Sequence, residues 1–325
     1  MGLDIFVRIL FDMEEFSAMP RQGVEFHKET DSRKETVTKT RYTIQTPDGE
    51  LTQELSVNEP YPGTFLHACT EKPIKSMKDL KMAVAYEPGC SSEFFDPVKQ
   101  RVTSAQASVG EDGIVGVWCP NGVFNNASRL LELEELYCLF LTEPDFFSEL
   151  MEFSLKRIST YARAIAESGA DVMIVGGNVA GGFLGKEMFD KYILPYEKRF
   201  FASCREIGIK TLYHNCGEIM NLVESYVAAE ADWVEPFSPP PLGDAALADA
   251  LATVKGRYTI TGGVDQINVL QNGRVEDVIK ATEAALKTGM DSGFPFVLQS
   301  ADFLERDTPL ENIRAYARTV RRIIS

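Results

Sequence analysis

Short apolar runs of strand length recur along the chain, and longer stretches in which apolar residues return every three or four positions separate most of them. Seven runs stand out: IFVRIL (Ile5 to Leu10), IVGVW (Ile114 to Trp118), VMIV (Val172 to Val175), TLYH (Thr211 to His214), WVE (Trp233 to Glu235), YTIT (Tyr258 to Thr261) and FVLQS (Phe296 to Ser300). The clearest helix between them is PDFFSELMEFSLKRISTYARAIAESG, where Phe146, Leu150, Phe153, Ile158, Tyr161 and Ile165 recur at helical spacing and Gly169 ends the run. The same order of helix, glycine and strand returns at FDKYILPYEKRFFASCREIG before IKTLYH, and at VEDVIKATEAALKTG before the last run. Such alternation builds parallel sheets. It predicts an α/β fold, a (β/α)8 barrel of the TIM type, as a single domain over 1–325.

Seven units are one short of a closed barrel, and an open one leaves two strand edges unpaired. Three readings follow: the first strand lies in a stretch not recognised as strand, an N-terminal piece is missing, or a partner chain covers the gap. The last makes a homodimer the expected assembly. Near the start, TVTKTRYTIQTPDGELTQELSV alternates polar and apolar residues around Pro-Asp-Gly, which predicts an inserted β-hairpin over about 34–58. With polar residues on both faces it is expected to project from the barrel as a flap. EPFSPPPLGD, after the fifth run, reads as a loop.

Composition narrows the function classes. A net charge of −15 and a pI near 4.8 repel phosphate backbones and anionic bilayers, so small molecules or proteins are the expected partners, not nucleic acid or membrane. No apolar run is long enough to span a bilayer, and the N-terminus carries acids where a secretory signal needs a basic head, which places the protein in the cytoplasm. The six cysteines form no CxxC pair and read as free thiols.

In a barrel of this class the chemistry stands at the C-terminal ends of the strands. Those ends carry Asp12, then Gly176, Gly177 and Asn178, then His214 and Cys216, then Glu235, then Gly262, Gly263 and Asp265, and finally Gln299 and Asp302. Residues i and i+2 of a strand point to one side about 6.6 Å apart, so His214 and Cys216 can reach one ion between them. Zinc accepts imidazole and thiolate, and Glu235 and Asp302 at neighbouring strand ends could supply oxygen donors. The alternative is a packed histidine and an unrelated thiol. Asp265 has its own alternative, as the cap of the next helix. Trp118, Phe183, Tyr213 and Trp233 are candidate cavity walls or plain core, and His27 and His67 read as surface or linker residues. No GxGxxG opens a helix, so no dinucleotide site is expected.

The segments GADVMIVGGNVAGGFLGKEMFDKYILPYEKRF, LYHNCGEIMNLVESY, ITGGVDQINVLQNGRVEDV and DTPLENIRAYARTV together resemble the uroporphyrinogen decarboxylase superfamily, in particular its corrinoid-linked methyltransferases. The resemblance implies a (β/α)8 barrel and makes the seven runs strands two to eight, with the family's first strand and the basic region before it absent. In the decarboxylases that opening holds the acid arms of the tetrapyrrole, so its absence and the charge of −15 argue against decarboxylation. In the methyltransferase branch an H-x-C pair and a later cysteine bind zinc. Here His214 and Cys216 match the pair, whereas Asp302 stands where the cysteine is expected. The implied reading is a zinc-assisted methyltransferase or O-demethylase exchanging a methyl group with a corrinoid on a separate protein, with Asp12, Asn178, Asp265 and Gln299 at the substrate. Asp12 stands one residue out of register with the decarboxylases' essential aspartate, and a capping acid is its alternative. The competing functions are the decarboxylase itself and a non-catalytic corrinoid-binding protein.

Overall fold

The computed structural model describes residues 4–10, 21–34, 37–61, 64–88, 92–177 and 184–324. Seven parallel strands form one curled sheet: β1 (Ile5–Ile9), β6 (Gly113–Trp118), β7 (Val172–Gly176), β8 (Thr211–His214), β9 (Trp233–Phe237), β10 (Thr259–Val264) and β11 (Phe296–Ser300), neighbours in that order. Each coincides with one of the apolar runs to within three residues at either end. The architecture is a TIM-type half-barrel with β1 and β11 at its two edges.

Side-chain alternation divides each strand between two environments. Val115, Val117, Met173, Val175, Tyr213 and Val234 face outward into the main core against the helices. Val172, Ile174 and Leu212 point the other way and pack with Phe6, Ile114, Trp118 and Trp233 inside the barrel. The inner face therefore also carries Arg8, His214 and Glu235, two residues further along their strands.

Helices α1 (Met77–Ala85), α2 (Ser92–Val109), α3 (Val123–Leu130), α4 (Leu133–Thr142), α5 (Pro144–Glu167), α6 (Leu194–Glu206), α7 (Val223–Ala229), α8 (Leu247–Val254), α9 (Val275–Ser292) and α10 (Leu310–Ile324) complete the described helices of any length. In α5 all six residues of the expected apolar stripe are buried. Each contributes roughly 1.5–3 kcal/mol by burial, against at most about 0.7 kcal/mol of ordinary helix propensity, so packing fixes this helix. Gly169 and Gly208, at φ +79° and +80°, make the expected joints. The third joint lies four residues later than the sequence suggests. Gly293, at φ +68°, caps α9, whereas Gly289 lies within the helix, where a Cβ would stand 2.1 Å from the Phe296 ring.

The expected hairpin is part of something larger. β2 (Glu25–Lys34), β3 (Val37–Thr46), β4 (Gly49–Tyr61) and β5 (Thr64–Glu71) form a four-stranded antiparallel sheet, with the Pro-Asp-Gly turn joining β3 to β4. Nor is it polar on both faces. Tyr42 and Leu51 are buried, on a face turned back toward the barrel helices. His27 and His67 lie on strands of this sheet, not in linkers.

One buried acid makes stability depend on pH. Glu197 of α6 is fully buried and accepts a 3.3 Å hydrogen bond from the Phe124 amide at the start of α3, while its Oε2 has no partner. Burial raises its pKa to about 7 against the opposing pull of those amides. Below the unfolded value near 4.5 both states are protonated and nothing is lost. As pH rises through 7 the buried group must ionise or keep its proton at a cost, which removes on the order of 3 kcal/mol. Glu197→Gln is expected to remove this contribution, read as an unfolding free energy that falls by about 3 kcal/mol less between about pH 4.5 and pH 7 than in the unaltered chain.

Candidate metal centre

Glu235 organises the mouth of the barrel. It is completely buried, and Arg8 grips it from β1 through two bonds, Nη1 to Oε1 at 2.6 Å and Nη2 to Oε2 at 2.7 Å. His214, its register partner on β8, places Nδ1 2.9 Å from Oε1. Gln299 donates from Nε2 to Oε2 at 3.1 Å. Gln299 reaches it from β11, beyond β10, and its neighbour there is Gly263, which follows Gly262. Burial alone would raise the Glu235 pKa, but the hydrogen bonds and charges of His214 and Arg8 outweigh it and hold the carboxyl below the usual value.

With Nδ1 held by Glu235, the imidazole turns Nε2 toward the other candidates. Cys216 Sγ lies 3.5 Å from it, and one ligand atom each of His214, Cys216 and Asp302 lie within 4.8 Å of one another. Among the described residues this is the group of three acid, thiol or imidazole side chains with that convergence. Two donors of a tetrahedral zinc site, bound at about 2.0 and 2.3 Å, stand about 3.6 Å apart, so the imidazole–thiol separation already suits an ion. Burial disfavours the charged ring, yet the hydrogen bonds and charges of Cys216 and Glu235 raise the His214 pKa to about 9. The pocket thus favours positive charge at this point.

Asp302 is held in place by its neighbour. The Ala301 amide donates to the Val264 carbonyl at 2.6 Å, and its carbonyl accepts from the Ser238 hydroxyl at 3.0 Å. Trp118 meets the His214 ring edge-on at 5.2 Å and walls the site, while Trp233 stacks on Phe6 one layer below. Tyr213 points outward and packs against Phe201 and Tyr226 in the core.

The candidates therefore divide. His214, Cys216 and Asp302 converge, and Glu235, a candidate ligand in the sequence, stands behind His214 with both oxygens committed to Arg8, His214 and Gln299. Asp265 turns away to cap the next helical segment, accepting from the amides of Ile267 and Asn268 at 2.8 and 2.7 Å and from the Asn268 side chain at 2.7 Å. Asp12, Asn178 and Phe183 lie outside the described residues. Sequence reasoning missed Arg8, although a lone cation inside the apolar run IFVRIL was its signal.

A family model of uroporphyrinogen decarboxylase (URO-D) matches residues 68–323, most of the chain. The chain belongs to the uroporphyrinogen decarboxylase family. Within it, 153 residues are 31% identical to the methylcobamide:CoM methyltransferase MtbA of Methanosarcina mazei, covering 47% of this chain and 42% of that protein. A stretch of 190 residues is 24% identical to the methylcobamide:CoM methyltransferase MtaA of Methanosarcina barkeri, covering 58% and 52%. Another of 179 residues is 28% identical to uroporphyrinogen decarboxylase of Thermus thermophilus, covering 54% and 48%. The chain thus spans about half the length of the curated relatives it matches. A solved methyltransferase from Methanosarcina mazei shares the fold, with a TM-score of 0.67 and 20% identity over 83% of this chain and 75% of that one. No helix among the described residues is long and apolar enough to cross a membrane.

Proposed function

We propose that this protein moves a methyl group between a small substrate and a corrinoid carried by a partner protein, with zinc held by His214, Cys216 and Asp302. The observation that carries the reading is the convergence of imidazole, thiol and carboxylate at the barrel mouth, backed by the buried Glu235. The methyltransferases among the relatives support it. Three protein donors leave a position open, as catalytic zinc sites do. Zinc there would act as a Lewis acid on the sulfur or oxygen of a bound substrate.

The chain's own residues do the positioning. Arg8 fixes Glu235, Glu235 fixes the imidazole, and Trp118 limits where a substrate can lie beside it. Asp302 in place of a second thiolate makes the donor set harder, which favours an oxygen substrate. A methyl ether is therefore the expected methyl donor, and the reaction an O-demethylation. Decarboxylation of a polyanionic tetrapyrrole is less well supported, because Arg8 at this mouth is already paired with Glu235. Exposed Phe303 and Leu304 next to Asp302 offer apolar surface to a partner.

The test is elemental analysis of the purified chain together with methyl transfer from methoxylated phenols to cob(I)alamin. About one zinc per chain and ether-dependent methylcobalamin formation are expected. A metal-free preparation of undiminished activity would sink the proposal.

A further inference from the structure

Away from the barrel mouth, the inner face of the β2–β5 sheet and the flanks of α3 and α5 enclose a cavity of about 520 Å³. None of His214, Cys216, Glu235, Gln299 and Asp302 lines it. Its size falls within the roughly 300–1,000 Å³ range of small-molecule sites. The walls are of two kinds. Phe26 and Tyr42 from the sheet and Phe153 from α5 supply aromatic surface, with Leu51 and Leu55 beside them.

The charged part of the lining is mainly cationic, in a chain of strongly acidic balance. Among the described residues Arg21, Lys72, Arg129 and Arg157 line the cavity, and Glu87 is the one acid that does. Two of these arginines are already engaged. Arg157 pairs with Glu87 at 2.6 Å, and Arg21 donates to the Tyr86 carbonyl at 2.9 Å. Arg129 differs. Among the described residues it makes no hydrogen bond or ion pair. Although exposed, it is surrounded closely enough that desolvation lowers its pKa. One turn earlier on α3, Asn126 is 1% exposed, lines the same cavity and has an Oδ1 without a hydrogen-bond partner. Among the described residues no acid pairs with this guanidinium, in a chain with 48 acids. An unpaired cation at the edge of a cavity with aromatic walls is the arrangement that recognises an amphipathic anion.

We propose that this cavity binds an organic monoanion, a carboxylate carried on a flat apolar body, with its head on Arg129 and its body among Phe26, Tyr42 and Phe153. The planar guanidinium matches a carboxylate bidentately. One carboxylate matches the one lining guanidinium that has no hydrogen-bond or ion-pair partner among the described residues. The site does not rest on the metal centre, and variants separate the two.

Naphthalene-2-carboxylate is the probe, titrated calorimetrically into the full chain beside its neutral counterpart, 2-naphthylmethanol. Saturable one-to-one binding of the acid is expected, with the alcohol about tenfold or more weaker, as loss of a charged hydrogen bond implies. Arg129→Gln should weaken the acid by a similar factor, and Ala68→Trp, which fills the cavity from the sheet, should remove binding altogether. Cys216→Ala should leave it unchanged. Equal affinity for acid and alcohol, no saturable binding, or loss in Cys216→Ala with retention in Arg129→Gln would each overturn the proposal. Circular dichroism of Arg129→Gln and Ala68→Trp excludes misfolding as the cause of any loss.

Discussion

Arg8→Met is expected to lower the unfolding free energy of the metal-free chain by about 3–5 kcal/mol. The loss arises at Glu235, not at Arg8. The Arg8 side chain keeps 29% of its surface exposed and alone would be a modest contributor, whereas Glu235 has 0% and cannot recover its hydration. Two direct bonds from the guanidinium now compensate that burial. Without them the carboxylate retains only His214 and Gln299, and a buried charge short of partners costs several kcal/mol. The loss is not additive with removal of the charge itself. Arg8→Met combined with Glu235→Gln should be more stable than the sum of the single effects by about 1–3 kcal/mol. Urea unfolding at neutral pH measures all four corners of the cycle. A single-variant loss under about 1 kcal/mol would mean that the pair behaves as an ordinary surface salt bridge.

The same pair shows what a sequence discloses and what it conceals. The seven parallel strands were legible because their signals are local: an apolar run, a helical stripe such as that of α5, and a glycine at φ above +60° between them. The four-stranded sheet was legible only at its centre. β2 is rich in polar and charged residues and β5 is half polar without regular alternation, and their pairing with the hairpin depends on contacts that local alternation does not encode. At the mouth, His214 and Cys216 were visible from a spacing of two on one strand. Whether Glu235 touches an ion or the histidine behind it was not, because that depends on register between β8 and β9 and on an arginine 227 positions away in sequence. Asp265 illustrates the reverse case. An acid two residues after Gly263 satisfies the rule for a strand-end site residue and for a helix cap equally well, and only the backbone that follows it decides.

Zinc affinity is expected to fall in steps that follow this geometry. Cys216→Ala and His214→Ala each remove a donor from a set of three, and both should lose zinc during purification. Glu235→Gln should instead keep the metal with an affinity reduced about 10–100-fold, the usual effect of removing a carboxylate that orients a ligand histidine. The reason for the gradation is that Glu235 contacts Nδ1 and not the cluster itself, so its loss frees the ring to rotate without deleting a donor. Asp302→Cys tests the donor proposed at that position. A second thiolate should tighten zinc binding and shift methyl transfer from ethers toward thiols, because a softer donor set suits sulfur. Competition against a chromophoric chelator orders the affinities, and methyl transfer from a methoxylated phenol to cob(I)alamin, set beside transfer from methylcobalamin to a thiol, reads the preference. Full zinc retention by Cys216→Ala, or zinc loss from Glu235→Gln as complete as from His214→Ala, would contradict the arrangement in which Glu235 supports the site from behind.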